Sequence, residues 1–279
     1  MDLRLGRAHG ARFVAVLCAS AAAIGLLAAN AAAAPRSHGG VVKIVKPRAG
    51  LNVWQSQNWF GYNQGTLEKG GGLFNSVSGD WTVPSATQHT SGQAESSSTW
   101  IGIGGGCIDT TCLTSDNTLI QTGTEQDVDS SGKASYSAWW ELIPAPGLTI
   151  SNMTVQPGDH MSATIAETVP NSNVWNITLK NVTRNQTFTT TVPYTSTHAT
   201  AEWIQETPLL IGTDGTGLAD LPNLTTNSFT GAKTNGAPAG LKSSEQMQLI
   251  DSNNRVIGAP SAPNSTADGF SLCSWASTC

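Results

Sequence analysis

Residues 175–181, WNITLKN, alternate without interruption: Trp175, Ile177 and Leu179 fall on one side of an extended chain, Asn176, Thr178 and Lys180 on the other. Successive side chains of a strand point to opposite faces, so this spacing reads as a β-strand with one buried face. Working outward, the pattern holds from Asn58 onward. Short runs such as DWTVP (80–84), STWIGI (98–103), TLIQTG (118–123), SYSAWWEL (135–142), HMSATIAETV (160–169), TFTTTV (187–192), AEWIQE (201–206) and MQLID (247–251) alternate with turn material. The separators SSGK (130–133), QPGD (156–159), VPNSN (169–173) and NGAPAG (235–240) are rich in the residues that favour turns. No segment carries a 3.6-residue apolar period over helical length. The expected fold is all-β, an antiparallel sandwich or barrel.

The N-terminus reads differently. MDLRLGRAHGARF carries three arginines, VAVLCASAAAIGLLAA is apolar but short for a spanning helix, and ANAAAA supplies small residues for cleavage. Residues 1–34 are therefore expected to be a secretory signal peptide, leaving an exported chain with no membrane segment. Residues 35–57 hold a basic cluster, Arg36, Lys43, Lys46 and Arg48 with His38, and read as a pro-segment or an N-terminal arm. Residues 58–279 are the length of one all-β domain.

Charged residues make up 12% of the chain, about half the usual share. Removing Arg4, Arg7, Arg12 and Asp2 with the signal leaves 11 Lys/Arg against 18 Asp/Glu, a net charge of −7. Nothing there neutralises phosphates, which argues against nucleic-acid binding. So few basic groups also limit positive self-repulsion when carboxylates protonate, which favours folding in acid. Four cysteines remain, and their spacing makes Cys107–Cys112 and Cys273–Cys279 the first choice of three disulfide connectivities. No further Cys or His stands at metal-ligand spacing, so neither a metal nor a cofactor is expected.

GxSxG and HExxH motifs are absent from the sequence. Polar side chains inside apolar strands stand out instead. In TLIQTG, parity puts Gln121 on the face of Leu119. In SYSAWWEL, Trp139 and Glu141 share one face, while Tyr136, Ala138, Trp140 and Leu142 make the better core face. In AEWIQE, Glu202, Ile204 and Glu206 oppose Trp203, and parity does not choose between the two glutamates. An amide on a strand face needs a partner or a purpose, and an aromatic-lined groove with a few convergent polar groups is what a binding site looks like.

Taken together, NWFGY (58–62), GDWTVP, STWIGIGG, LIQTG, YSAWWEL, ISNMTVQPGDHMSATI, WNITLKNVTRNQTF and AEWIQE follow in the order found in the eqolisins, the glutamic peptidases. The chain resembles that family over about residues 58–245. The resemblance implies two seven-stranded antiparallel sheets packed as a sandwich, with a substrate cleft on the concave face of one. It also implies a catalytic dyad in which Gln121 matches the family glutamine and Glu206 the family glutamate, with Trp100, Trp139 and Glu141 lining the cleft. The expected partners are then protein or peptide substrates, with a monomeric, secreted enzyme.

Such a dyad makes chemical sense. Peptide hydrolysis needs a base for water, a donor for the developing oxyanion and an acid for the leaving amine. A glutamate with a reference pKa of about 4.3 suits that exchange in acid. Two positions depart from the family pattern: Gly104 stands where WVGIDG has Asp, and Thr124 and then Glu125 stand where a second Asp follows QTG. Fewer acids around Glu206 would leave it fewer like-charged neighbours and a different pH optimum. Two rival readings remain at this stage. Paired glutamates on a concave sandwich also describe glycoside hydrolases, and tryptophan stacking alone suffices for a non-catalytic glycan- or protein-binding module.

Overall fold

The computed structural model describes residues 53–67, 69–109, 111–113, 115–212 and 215–279, together with the two-residue strands Arg36–Ser37 and Ile44–Val45. The signal-peptide reading, residues 1–34, and most of the basic arm lie outside the described residues. Those described belong to one compact unit, Ala34–Cys279.

Thirteen longer strands build the unit: β1 (Trp59–Gly65), β2 (Ser76–Thr82), β3 (Glu95–Gly104), β4 (Leu119–Val128), β5 (Ala134–Leu142), β6 (His160–Glu167), β7 (Val174–Asn181), β8 (Gln186–Pro193), β9 (Thr200–Glu206), β10 (Asn227–Thr234), β11 (Gln246–Ile250), β12 (Val256–Pro260) and β13 (Phe270–Ser274). The first sheet runs β5–β4–β3–β9–β1–β11, extended beyond β5 by Leu148–Thr149. The second runs β8–β7–β6–β2–β10–β13–β12. Each run so listed holds seven strands; the short strands Trp54–Ser56 and Ile44–Val45 extend the first sheet, Ala237–Pro238 adds to the second, and the two sheets join where β11 pairs with β12. All pairings within the two runs are antiparallel. Among the described residues, the one parallel pairing is that of the short strand Trp54–Ser56 with β11.

Alternation decides the layers. On β7, Trp175, Ile177 and Leu179 are fully buried between the sheets, each contributing roughly 1.5–3 kcal/mol from apolar area removed from water. They meet Ile101, Ile103, Ile120, Ala138, Ala201 and Trp203 from the inner face of the first sheet. Buried indoles also cross-link the layers: Trp81 on β2 donates to Thr124 Oγ1 on β4 (3.0 Å), and Trp203 on β9 donates to the Ser78 carbonyl on β2 (2.9 Å). A buried N–H that finds an acceptor avoids the cost of an orphaned donor. Turn chemistry matches the sequence, as at Asn235–Gly236, where both residues have positive φ (50° and 78°) between the paired Thr234 and Ala237. Cys107 pairs with Cys112 and Cys273 with Cys279, the local connectivity expected from their spacing.

Candidate active site

The outward face of the first sheet carries the polar residues. Strand register sets Glu141, Gln121, Gly102, Glu202 and Asn63 in one row across β5, β4, β3, β9 and β1. The next row is Trp139, Gly123, Trp100, Ile204 and Gly61, and the third is Ser137, Glu125, Ser98, Glu206 and Trp59. Trp59, Trp100, Trp139, Leu119 and Ile204 form a second apolar cluster on this face, apart from the core between the sheets. Parity thus placed Gln121, Trp139, Glu141, Glu202 and Glu206 on the face they occupy.

Gln121 Nε2 donates to Glu141 Oε2 at 2.8 Å, which orients the amide; its Oε1 has no hydrogen-bond partner. By backbone register alone, Glu202 is the glutamate in line with Gln121, two strands or about 10 Å away, while Glu206 lies about 13 Å further along β9. Side chains sort the two carboxyls the other way. A Cβ placed on Gly102 would sit 2.9 Å from both Leu119 Cδ1 and Trp100 Cζ3, so those two side chains fill the space between Gln121 and Glu202.

Glu206 instead shares an electrostatic environment with Glu141. Burial pushes its carboxyl well above the ordinary glutamate range, and the Glu141 carboxylate adds to the rise. The indole N–H groups of Trp100 and Trp59 pull it back, and Glu125 raises it further. Neither indole N–H has another hydrogen-bond partner, so both are available to this carboxyl. Trp59 and Trp100 pack edge to face with ring centroids 4.9 Å apart, which holds both N–H groups on this side. One sequence expectation changes here. The face does not lack like charge around Glu206, because Glu125 replaces an acid that the family pattern puts one residue earlier. Trp59, part of the NWFGY motif, also stands beside Glu206; its position there depends on cross-strand register, which no local pattern encodes.

Glu202 is enclosed by protein. Asn63 exchanges hydrogen bonds with Cys107 (Nδ2 to O, 2.9 Å; Cys107 N–H to Oδ1, 3.1 Å), and the Gly106 N–H donates to Thr200 Oγ1 (3.2 Å). These contacts seat the disulfide-closed loop over β1 and β9, so close that a Cβ on Gly106 would lie 2.7 Å from Glu202 Oε1. Neither Glu202 carboxyl oxygen is hydrogen-bonded. Burial raises this carboxyl well above the usual range; Thr200 lowers it somewhat and Asp116 raises it.

The face was expected to be an open cleft. Gln121, Trp100, Trp139, Glu141 and Glu206 are instead each at most 1% exposed. Trp54 packs with Trp59, Trp100 and Trp139, and Ile44–Val45 pairs with the strand that carries it. Arg36–Ser37 pairs with Leu209–Leu210, just beyond Glu206.

Comparison with known proteins bears on what this arrangement is. The sequence profile of the Peptidase A4 family matches residues 57–268. The chain belongs to the Peptidase A4 family. Aspergillopepsin-2 of Aspergillus niger is 30% identical over 185 residues, 59% of this chain and 60% of that protein, so the chain spans less than two thirds of that relative's length. Scytalido-glutamic peptidase, solved with a transition state analog inhibitor, superposes with a TM-score of 0.60 at 21% identity, covering 78% of this chain and 98% of its own. Aspergilloglutamic peptidase from Aspergillus niger superposes with a TM-score of 0.50 at 25% identity, covering 64% and 99%. The family and the sandwich fold expected from the sequence motifs are therefore borne out. The glycosidase and binding-module readings gain nothing from these matches.

Proposed function

We propose that the chain is an endopeptidase that hydrolyses protein substrates in acid, with Gln121 and Glu206 as the catalytic pair. The observation that carries this reading is the contrast between the two glutamates. Glu206 is subject to the charge of Glu141, the carboxyl that Gln121 hydrogen-bonds, and to two indoles, whereas Glu202 is walled off by Trp100, Leu119 and the disulfide loop. Ionised Glu206 takes a proton from water as that water attacks the peptide carbonyl, and returns it to the departing amine. The Gln121 amide, held by Glu141, stays a neutral donor at any acidic pH and hydrogen-bonds the oxyanion. Trp100 and Trp139 supply apolar walls for the substrate. Because burial raises the Glu206 carboxyl above an ordinary glutamate, its base form is reached at a higher pH than an ordinary glutamate's. Denatured casein digested from pH 2 to 7, with and without pepstatin, tests the reading. Cleavage in acid that pepstatin does not block, lost in Glu206→Gln, is expected; full activity in that variant would remove Glu206 from the mechanism.

We infer further that residues 35–57 are a pro-segment on a secreted, monomeric enzyme. Its two described strands flank the Glu206 end of the site, one beside Leu209–Leu210 and one beside Gln55–Ser56. A basic segment on an acidic face would be held by charge and released as carboxylates protonate. Sequencing the N-terminus of the secreted protein after acid exposure checks this. A new terminus between Trp54 and Asn58, appearing with activity, is expected; an active protein that retains Pro35 would overturn the idea.

A further inference from the structure

We propose that Glu202 is a protonation latch: as a neutral acid it lets the Cys107–Cys112 loop close over β1 and β9, and its ionisation lifts that loop. Geometry carries the inference. The side chain is fully buried, and both carboxyl oxygens lack a hydrogen bond. An ionised carboxylate in such a place loses its hydration with only the nearby Thr200 hydroxyl to favour it, which proteins avoid by keeping the group neutral.

Among the described residues, no cation is seen to act on Glu202. From β1 comes the neutral Asn63, occupied with Cys107; from β9 itself, Thr200; from the roof, the Gly106 backbone. The charged group that bears on Glu202 is Asp116, just beyond the disulfide, and it repels an ionised Glu202. Asp116 is itself engaged by Thr118 and by the Thr197 hydroxyl. Another buried glutamate shows the alternative: Glu245 accepts from Gln64 Nε2 (2.9 Å) and the Lys242 N–H (2.9 Å), with Lys69 Nζ at 3.7 Å.

The sign follows from the direction of the shift. A carboxyl whose affinity for protons is higher folded than unfolded contributes stability that is fully present below its unfolded pKa and lost as pH rises through its folded one. Glu202 is therefore silent in acid and destabilising toward neutrality. Asn63 and Thr200, whose bonds seat the roof, flank it on neighbouring positions, so the first element to lift is the loop rather than the inter-sheet core. The Trp100 ring lies on the other side of the Glu202 compartment, which connects this loss to the face that holds Gln121. The latch stands without the peptidase reading; its use as an off switch away from acid rests on that reading.

Glu202→Gln mimics the neutral acid at every pH, and Glu202→Met removes the polar group at similar length. The test follows loss of near-ultraviolet circular dichroism on raising pH, and casein hydrolysis at the acid optimum. The expected result is a midpoint moved to higher pH in both variants, earlier loss of amide-exchange protection at Gly106 and Cys107 in the parent than in Glu202→Gln, and unchanged acid activity. A folded Glu202→Gln with the parent's midpoint overturns the latch and leaves the dyad standing; if only the Met variant folds, its midpoint decides in the same way. A folded but inactive Glu202→Gln overturns the latch and the choice of Glu206 together.

Discussion

Glu202 and Glu206 lie four residues apart on the same face of the same strand, yet their surroundings are opposite. At one end of β9 the carboxyl meets two indole N–H groups and the acids of neighbouring strands. At the other it sits under a loop with no hydrogen bond to either oxygen. Both carboxyls are raised by burial, so desolvation alone does not distinguish a working acid/base from a structural one. What distinguishes them is which groups face the carboxyl. The proposed catalytic role goes to the carboxyl near the Gln121–Glu141 pair, and the proposed latch to the one sealed under the loop.

That comparison can be broken in order of expected effect. Glu206→Gln should lower kcat by about 10²–10⁴-fold while leaving the circular dichroism spectrum intact, because it removes the general base and nothing from the inter-sheet core. Gln121→Met keeps length but deletes the oxyanion donor, and should cost about 10²–10³-fold in kcat with little change in KM. An equal loss confined to KM would make Gln121 a binding residue instead. Trp100→Phe takes away an N–H that favours the ionised form of Glu206, so the acidic limb of the kcat/KM profile should move to higher pH. Glu125→Gln removes a like charge and should move the same limb the other way, by less, since Glu125 is the weakest of the influences on Glu206. An unmoved limb in both variants would mean that the limb belongs to another group. Glu202→Gln should leave that limb where it is.

Much of this arrangement was legible before any tertiary information. Parity in TLIQTG, SYSAWWEL and AEWIQE separated the outward face from the core, because a strand's side-chain period is two regardless of what it packs against. Local cysteine spacing likewise matched the two disulfides. The covered state of the face was not legible, nor was the part played by Trp59, which reaches Glu206 only because β1 happens to be the neighbour of β9. The parallel strand Trp54–Ser56 escaped for a similar reason: three residues carry no readable period.

The sequence by itself determined the β-sandwich, the family and which residues share a face, since these depend on alternation, turn residues and ordered motifs along one chain. Only the tertiary structure decided how the two glutamates differ. Their separation arises from the ring of Trp100 over Gly102 and the roof laid by Gly106, contacts between positions far apart in sequence. A carboxyl's proton affinity depends on what surrounds it in space, and that is set by folding rather than by its neighbours along the chain.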